Sequence, residues 1–201
     1  MALRRMTRFA ADPRSAAAAR THITTYLTDL KLLPAELVLD AELIISELVT
    51  NAVLAVIRYL QYLQDTGQKD PEFAPEVWVY VGKTSTMVLL GVENPTHERP
   101  ERRDSDADSE NGRGLDLTEA LSKTFGWIEL EEQDAKDPAD DGSVTSLLVY
   151  AALPRTLLPR RKDPQDWALT PDFITGRLLG LRAMSAAPAA VSENTALAVC
   201  A

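Results

Sequence analysis

The stretch Asp40-Ala41-Glu42-Leu43-Ile44-Ile45-Ser46-Glu47-Leu48-Val49-Thr50-Asn51-Ala52-Val53 decides how this chain is read. Apolar residues recur in it at three- and four-residue spacing, the mark of a helix. The pattern extends both ways, from about residue 34 or 35 to 63, through Leu37, Ala41, Leu43, Ile44, Leu48, Val49, Ala52, Val53, Val56 and Leu60. So wide an apolar stripe implies deep burial against a sheet or other helices. Within it stand two polar residues, Glu47 and Asn51, four apart and therefore one above the other on one face.

Upstream, Asp12 and Pro13 read as N-cap and first helical residue of a helix over about 13–30, which Leu32-Leu33-Pro34 breaks. Downstream, residues 65–75 hold Gly67, Pro71 and Pro75 and read as a loop. Residues 76–81 and 86–92, rich in β-branched and aromatic side chains, read as a hairpin across 82–85. Residues 95–110 are dense in charge, a solvated loop by default. A helix over about 115–123 follows, then strands over 125–131 and 144–153, separated by an acidic turn region at 134–142. With a short strand at the start, the order predicts an α+β pattern with helices on one sheet face. Residues 1–154 form the expected domain. Residues 155–184 read as an extension with a short helix from about Pro171 to Met184, and 185–201 as an Ala-, Ser- and Pro-rich tail.

Composition narrows the function classes. The 201 residues are 45% hydrophobic and 25% charged, an ordinary globular mix. The net charge of −9 disfavours direct nucleic-acid binding, because an acidic chain repels phosphate. The single cysteine, Cys200, excludes an internal disulfide and suits a reducing cytosol. His22 and His97 lie far apart, so a histidine-rich metal centre is not expected. The basic start has no apolar segment behind it, and charges interrupt every apolar run short of the roughly 20 residues that span a bilayer. The expectation is a cytoplasmic protein with no membrane contact.

A carboxylate can take a proton, and an amide oxygen can ligate a hard cation such as Mg2+. By themselves Glu47 and Asn51 are more often an exposed polar pair, but on a buried helix they must face a cavity, water or a ligand. Gly112-Arg113-Gly114-Leu115 stands where the charged loop enters a helix. Glycines there let backbone N–H groups approach an anion at the positive end of the helix. The spacing is neither a P-loop nor a dinucleotide fingerprint.

These segments, with Ala11-Asp12-Pro13-Arg14-Ser15-Ala16-Ala17, Glu110-Asn111-Gly112-Arg113-Gly114-Leu115-Asp116-Leu117 and Phe125-Gly126-Trp127, resemble the actinobacterial anti-sigma-factor serine/threonine kinase-like ATP-binding proteins. That family belongs to the gyrase/histidine-kinase ATPase superfamily, and the resemblance spans about residues 5–154. It implies an α+β two-layer sandwich, a mixed, mostly antiparallel sheet with helices on one face, with ATP and Mg2+ held between helices and sheet. Asn51 would hold the metal, Glu47 would act as general base, and Gly112, Arg113, Gly114 and Leu115 would contact phosphates beneath a lid at 95–111. It further implies a cytoplasmic regulator that binds a sigma factor, an antagonist protein or both, with phosphorylation of a serine on the antagonist as its activity, and it allows a homodimer.

The chain departs from the family pattern at three places. Asn94, in Val92-Glu93-Asn94-Pro95, stands where an Asp normally reads adenine; an amide oxygen accepts too, but without charge. Glu93, one residue earlier, belongs on the opposite side of the strand. Leu54-Ala55 replace a usual Arg-His, and Ser146-Leu147 a usual Gly-Lys. These losses imply weakened nucleotide binding, and the alternative expectation is a nucleotide-blind protein-binding module of the same fold. Trp78, Trp127 and Tyr150 read as core packing, and Arg160-Arg161-Lys162 as a solvated turn.

Overall fold

The computed structural model describes residues 4–70, 73–96, 98–100, 114–131 and 144–156. The expected extension beyond residue 156, the tail, most of the expected lid, the acidic turn region, His97, Gly112 and Arg113 lie outside the described residues.

The apolar stripe forms one unbroken helix, α2, Ala35–Thr66. It runs three residues past the expected end, because Gln64, Asp65 and Thr66 all tolerate helix. It stops at Gly67, whose φ of 67° is the left-handed conformation glycine adopts without steric cost. The preceding helix, α1, spans Ser15–Asp29. Asp12 is not its N-cap: the Arg14 N–H donates to Asp12 Oδ1 at 2.7 Å, capping the turn before the helix. Ser15 Oγ donates to the Ala10 carbonyl at 2.6 Å and fastens the helix start to the strand before it.

That strand is β1, Arg4–Ala10. The expected hairpin is β2, Glu76–Lys83, with β3, Met87–Asn94. The expected third helix is α3, Gly114–Leu121, and the last two strands are β4, Thr124–Glu131, and β5, Val144–Pro154. They form one five-stranded sheet in the order β1-β2-β3-β5-β4, antiparallel at every pairing. This corrects the expectation of a mixed sheet. β3 and β4, which α3 links, do run parallel, but β5 inserts between them and pairs antiparallel with both. The class is α+β, with the described helices against one face of the sheet.

Alternation along the strands builds two separate clusters. Val77, Val79, Val81, Val88, Leu90, Val92, Leu147, Val149, Ala151 and Leu153 face α1 and α2 and meet Ile23, Leu27, Ile44, Ile45, Leu48, Val49 and Val56 in the main core. On the other face Tyr80, Leu89, Leu130, Leu148, Tyr150 and Ala152 form a second buried cluster, flanked by Met6, Trp78, Met87 and Ile128. Every described residue of that second cluster comes from a strand. By length and composition α2 is itself apolar enough to cross a bilayer, contrary to the expectation that no run comes near it. In this fold its stripe instead packs against the sheet.

At the edge of the sheet, Thr7 Oγ1 and His22 Nε2 lie 3.0 Å apart, and Phe9 meets the imidazole edge-on. Burial, and then the charge of Arg5, hold the His22 pKa below its ordinary 6.5.

Two measurements check this packing. Ile45→Ala, at a position with no solvent exposure, loses about 2–5 kcal/mol in urea denaturation, whereas Leu39→Ala, 63% exposed, stays within about 0.5 kcal/mol. For His22 the unfolded chain takes up its proton first as pH falls through 6.5, so the imidazole contributes stability above that pH and loses it below. His22→Gln should therefore flatten the decline in melting temperature between about pH 7 and 5; an unchanged slope would show that other groups carry it.

Candidate functional site

α2 carries Glu47 and Asn51 one turn apart, and both are half-buried. Neither is fully exposed, nor is either sealed in the core. Leu48, Val49, Ala52 and Val53 beside them are buried and hold the helix face in register. The pair stands at the rim of the packed layer.

α3 meets that rim. A side-chain carbon placed on Gly114 would overlap Oε2 of Glu47 and lie 3.0 Å from its carboxyl carbon. The first residue of α3 is thus seated directly against the Glu47 carboxylate, and only a residue without a side chain fits while the carboxylate stays in place. The positive end of the α3 dipole faces the negative charge. Leu115, the next residue, is 6% exposed; it anchors the helix by burial. Thr118 is fully buried and its hydroxyl donates to the Gly114 carbonyl at 2.9 Å, fixing the first turn. Of the sequence-predicted phosphate segment, Gly114 therefore stands against Glu47 with the buried Leu115 beside it, while Gly112 and Arg113 lie outside the described residues.

Asn94 ends β3 on the helix-facing side of the sheet, opposite Leu147 of the main core. It is 3% exposed. Its Oδ1 accepts twice from Thr96, from the backbone N–H at 2.9 Å and from the hydroxyl at 2.6 Å. The acceptor that the sequence assigned to adenine is thus committed within the chain. Thr96, itself 4% exposed, was missed from sequence. The signal was present: Asn-Pro-Thr is a turn in which an Asx side chain bonds the backbone two residues on.

Glu93 faces the other way, as alternation requires. It is 2% exposed on the outer face, where the Tyr80 hydroxyl donates to Oε2 and the Ser146 hydroxyl donates to Oε1 at 2.8 Å. Ser146 therefore serves Glu93 and is turned away from α2. At the other departure, Leu54 is 44% exposed and Ala55 is buried, so neither supplies a polar group.

The start of the expected lid is tied at two points. Arg58 on α2 pairs with Glu98 at 2.7 Å, and Arg99 pairs with Glu129 on β4 at 2.6 Å. Both pairs are exposed, so each stabilises weakly and yields readily. Among the described residues no group of three His, Cys, Asp or Glu side chains could hold a metal ion. A cavity of about 630 Å3 between β1 and α1, lined by Arg5, His22, Tyr26 and Asp29 among others, includes none of the site residues.

Comparison of the chain with protein-family models and with curated proteins finds no match.

The contact between Gly114 and Glu47 is directly testable. Gly114 is the first residue of α3, outside the helix interior where alanine outranks glycine. Gly114→Ala should destabilise the native chain, because the new carbon must displace the carboxylate, and should do so less in a Glu47→Ala background. A double-mutant cycle by denaturation should give a coupling of at least about 0.5 kcal/mol; additive effects would show that the carboxylate tip swings aside without cost and that the seating does not hold it.

Proposed function

We propose that the chain is a cytoplasmic regulator of the anti-sigma-factor type, built on a histidine kinase-like ATPase fold. It binds a sigma factor or an antagonist protein, and Glu47, Asn51 and the start of α3 form the phosphate end of a MgATP site. The observation that carries this reading is the seating of Gly114 against Glu47. A carboxylate, an amide one turn away and a glycine helix start converge at one rim of the helix layer.

The residues fit the phosphate end of such a ligand. A carboxylate and an amide oxygen are hard donors of the kind Mg2+ takes, and phosphates complete its shell more often than a protein cage does. When bound, MgATP supplies the transferable phosphoryl group. The chain's own part is then to position and to move a proton: Asn51 offers its oxygen to the metal, Gly114 leaves room for close backbone approach, and Glu47 accepts the proton of an attacking serine hydroxyl or water.

The adenine end fits less well, because both Thr96 donors already occupy Asn94 Oδ1. That observation favours a second reading, the protein-binding module of the same fold that binds no nucleotide. Calorimetry separates the two. The first reading predicts MgATP binding tighter than about 1 mM, equivalent to about 4 kcal/mol. It also predicts that Asn51→Ala removes the Mg2+-dependent part while leaving metal-free binding. No heat with MgATP at millimolar concentration would favour the module without nucleotide.

A further inference from the structure

The middle of the sheet face turned away from the helices is buried, while Met6, Trp78, Met87 and Ile128 around it are partly buried. Tyr80, Leu89 and Leu148 have no exposure, and Glu93 and Ser146 have 2% and 3%. Yet the second cluster contains strand residues alone among those described, and the described helices all belong with the other face. Side chains in the middle of a sheet reach zero exposure only beneath another layer. The face is also shaped to receive one. Across β2, β3, β5 and β4 the row Tyr80, Gly91, Tyr150, Gly126 alternates ring and glycine, and the next row holds Gly82 and Ala152 beside Leu89. The Tyr150 ring lies over Gly126, where an added carbon would come within 2.7 Å of its hydroxyl oxygen.

We propose that residues 157–184 of the same chain cover this face, docking a helix over about 171–184 through Ile174, Leu178 and Leu181. Three observations select this occupant. The first is the exit point. β5 ends beside the β2–β3 turn, where the Arg155 N–H donates to the Thr86 carbonyl at 2.8 Å and its guanidinium donates to the Ser85 carbonyl at 3.0 Å. The chain thus leaves from the edge of the face it must cover. The second is length. Residues 156–170 reach about 50 Å when extended, and five strands are only about 20 Å across. A helix over 171–184 is about 21 Å long, close to the roughly 27 Å of an eight-residue strand. The third is pattern. Ile174, Leu178 and Leu181 follow i, i+4, i+7 spacing and share one helix face, with Arg182 and Thr175 toward its border. The two-layer sandwich becomes a three-layer one, and the outer layer stands on the face opposite the proposed nucleotide site. The inference does not rest on that site binding ATP.

Hydrogen exchange on the full chain tests it, at a concentration where sedimentation finds a monomer. Peptides within 171–184 should exchange at least about tenfold slower than an unstructured chain. Leu178→Asp with Leu181→Asp should abolish that protection and raise binding of a hydrophobic dye, while Leu179→Asp, on the other side of the helix, should do neither. Unprotected exchange of 171–184 in the native chain, or protection only in a dimer, would overturn the proposal. Should the double variant fail to fold, cross-linking decides. With Cys200, the single cysteine, replaced by serine, Trp78→Cys and Leu181→Cys should join within one chain through a short bis-maleimide. Absence of that product, or joining only between chains, would equally overturn it.

Discussion

The packing of α2 on the sheet is the constraint from which the rest follows. Eleven of its residues are buried, and Ile44, Ile45, Val49 and Val56 have no exposure at all. Each large apolar side chain so placed contributes about 1.5–3 kcal/mol. That sum fixes the rotation of the helix about its axis. Once the rotation is fixed, Glu47 and Asn51 have no choice of direction. They lie on the flank of the buried stripe, half-covered, because the stripe occupies the positions on either side of them. The site is a consequence of the core, and a small rotation of α2 would either drown the pair in solvent or bury it uncompensated.

The same constraint explains what could be read before the structure. Long periodic segments were legible because each pattern admits a single arrangement. The stripe of α2, the β2–β3 hairpin, α3 and the apolar β5 all stand where their patterns placed them. The start of α1 was not legible, because Asp12 had two plausible employments, a helix cap or a turn cap, and only Ser15 reaching back to Ala10 decides between them. The antiparallel sheet was not legible either. Strand direction follows from each connection, but adjacency depends on β5 entering between β3 and β4, a long-range choice that local pattern does not encode. In the site, the Glu47–Asn51 face followed from helical arithmetic. The contact of Glu47 with Gly114, 67 residues on, did not follow from composition or periodicity, and the engagement of Asn94 by Thr96 is written only in the brief Asn-Pro-Thr turn signal at the strand end.

Glu93 and Asn94 show how one strand serves two environments. Adjacent residues point to opposite faces, so the carboxylate enters the second cluster and the amide the main one. A carboxylate at 2% exposure needs donors, and Tyr80 from the neighbouring strand and Ser146 from the other side both supply a hydroxyl. The register places them there: Trp78 stands opposite Glu93 and Leu148 opposite it on the far side, so Tyr80 and Ser146 sit diagonally within reach of a long side chain. Ser146 is thereby explained without reference to any ligand. Its presence where the resembled family has glycine is a structural demand of the outer face.

Asn94 sets the balance between the two functional readings. To accept from an adenine amino group, its oxygen must release one of the Thr96 donors. The exchange of one hydrogen bond for another is nearly neutral, but a buried donor left without a partner costs about 1–3 kcal/mol, or roughly 5- to 150-fold in affinity. A carboxylate at that position would accept more strongly and could hold several donors at once. On the proposed reading, nucleotide affinity would have to come from the phosphate end, from Glu47, Asn51 and the glycine start of α3. Recognition weighted in that way would select for a triphosphate more than for a base, and the adenine would be the part of the proposed ligand discriminated least.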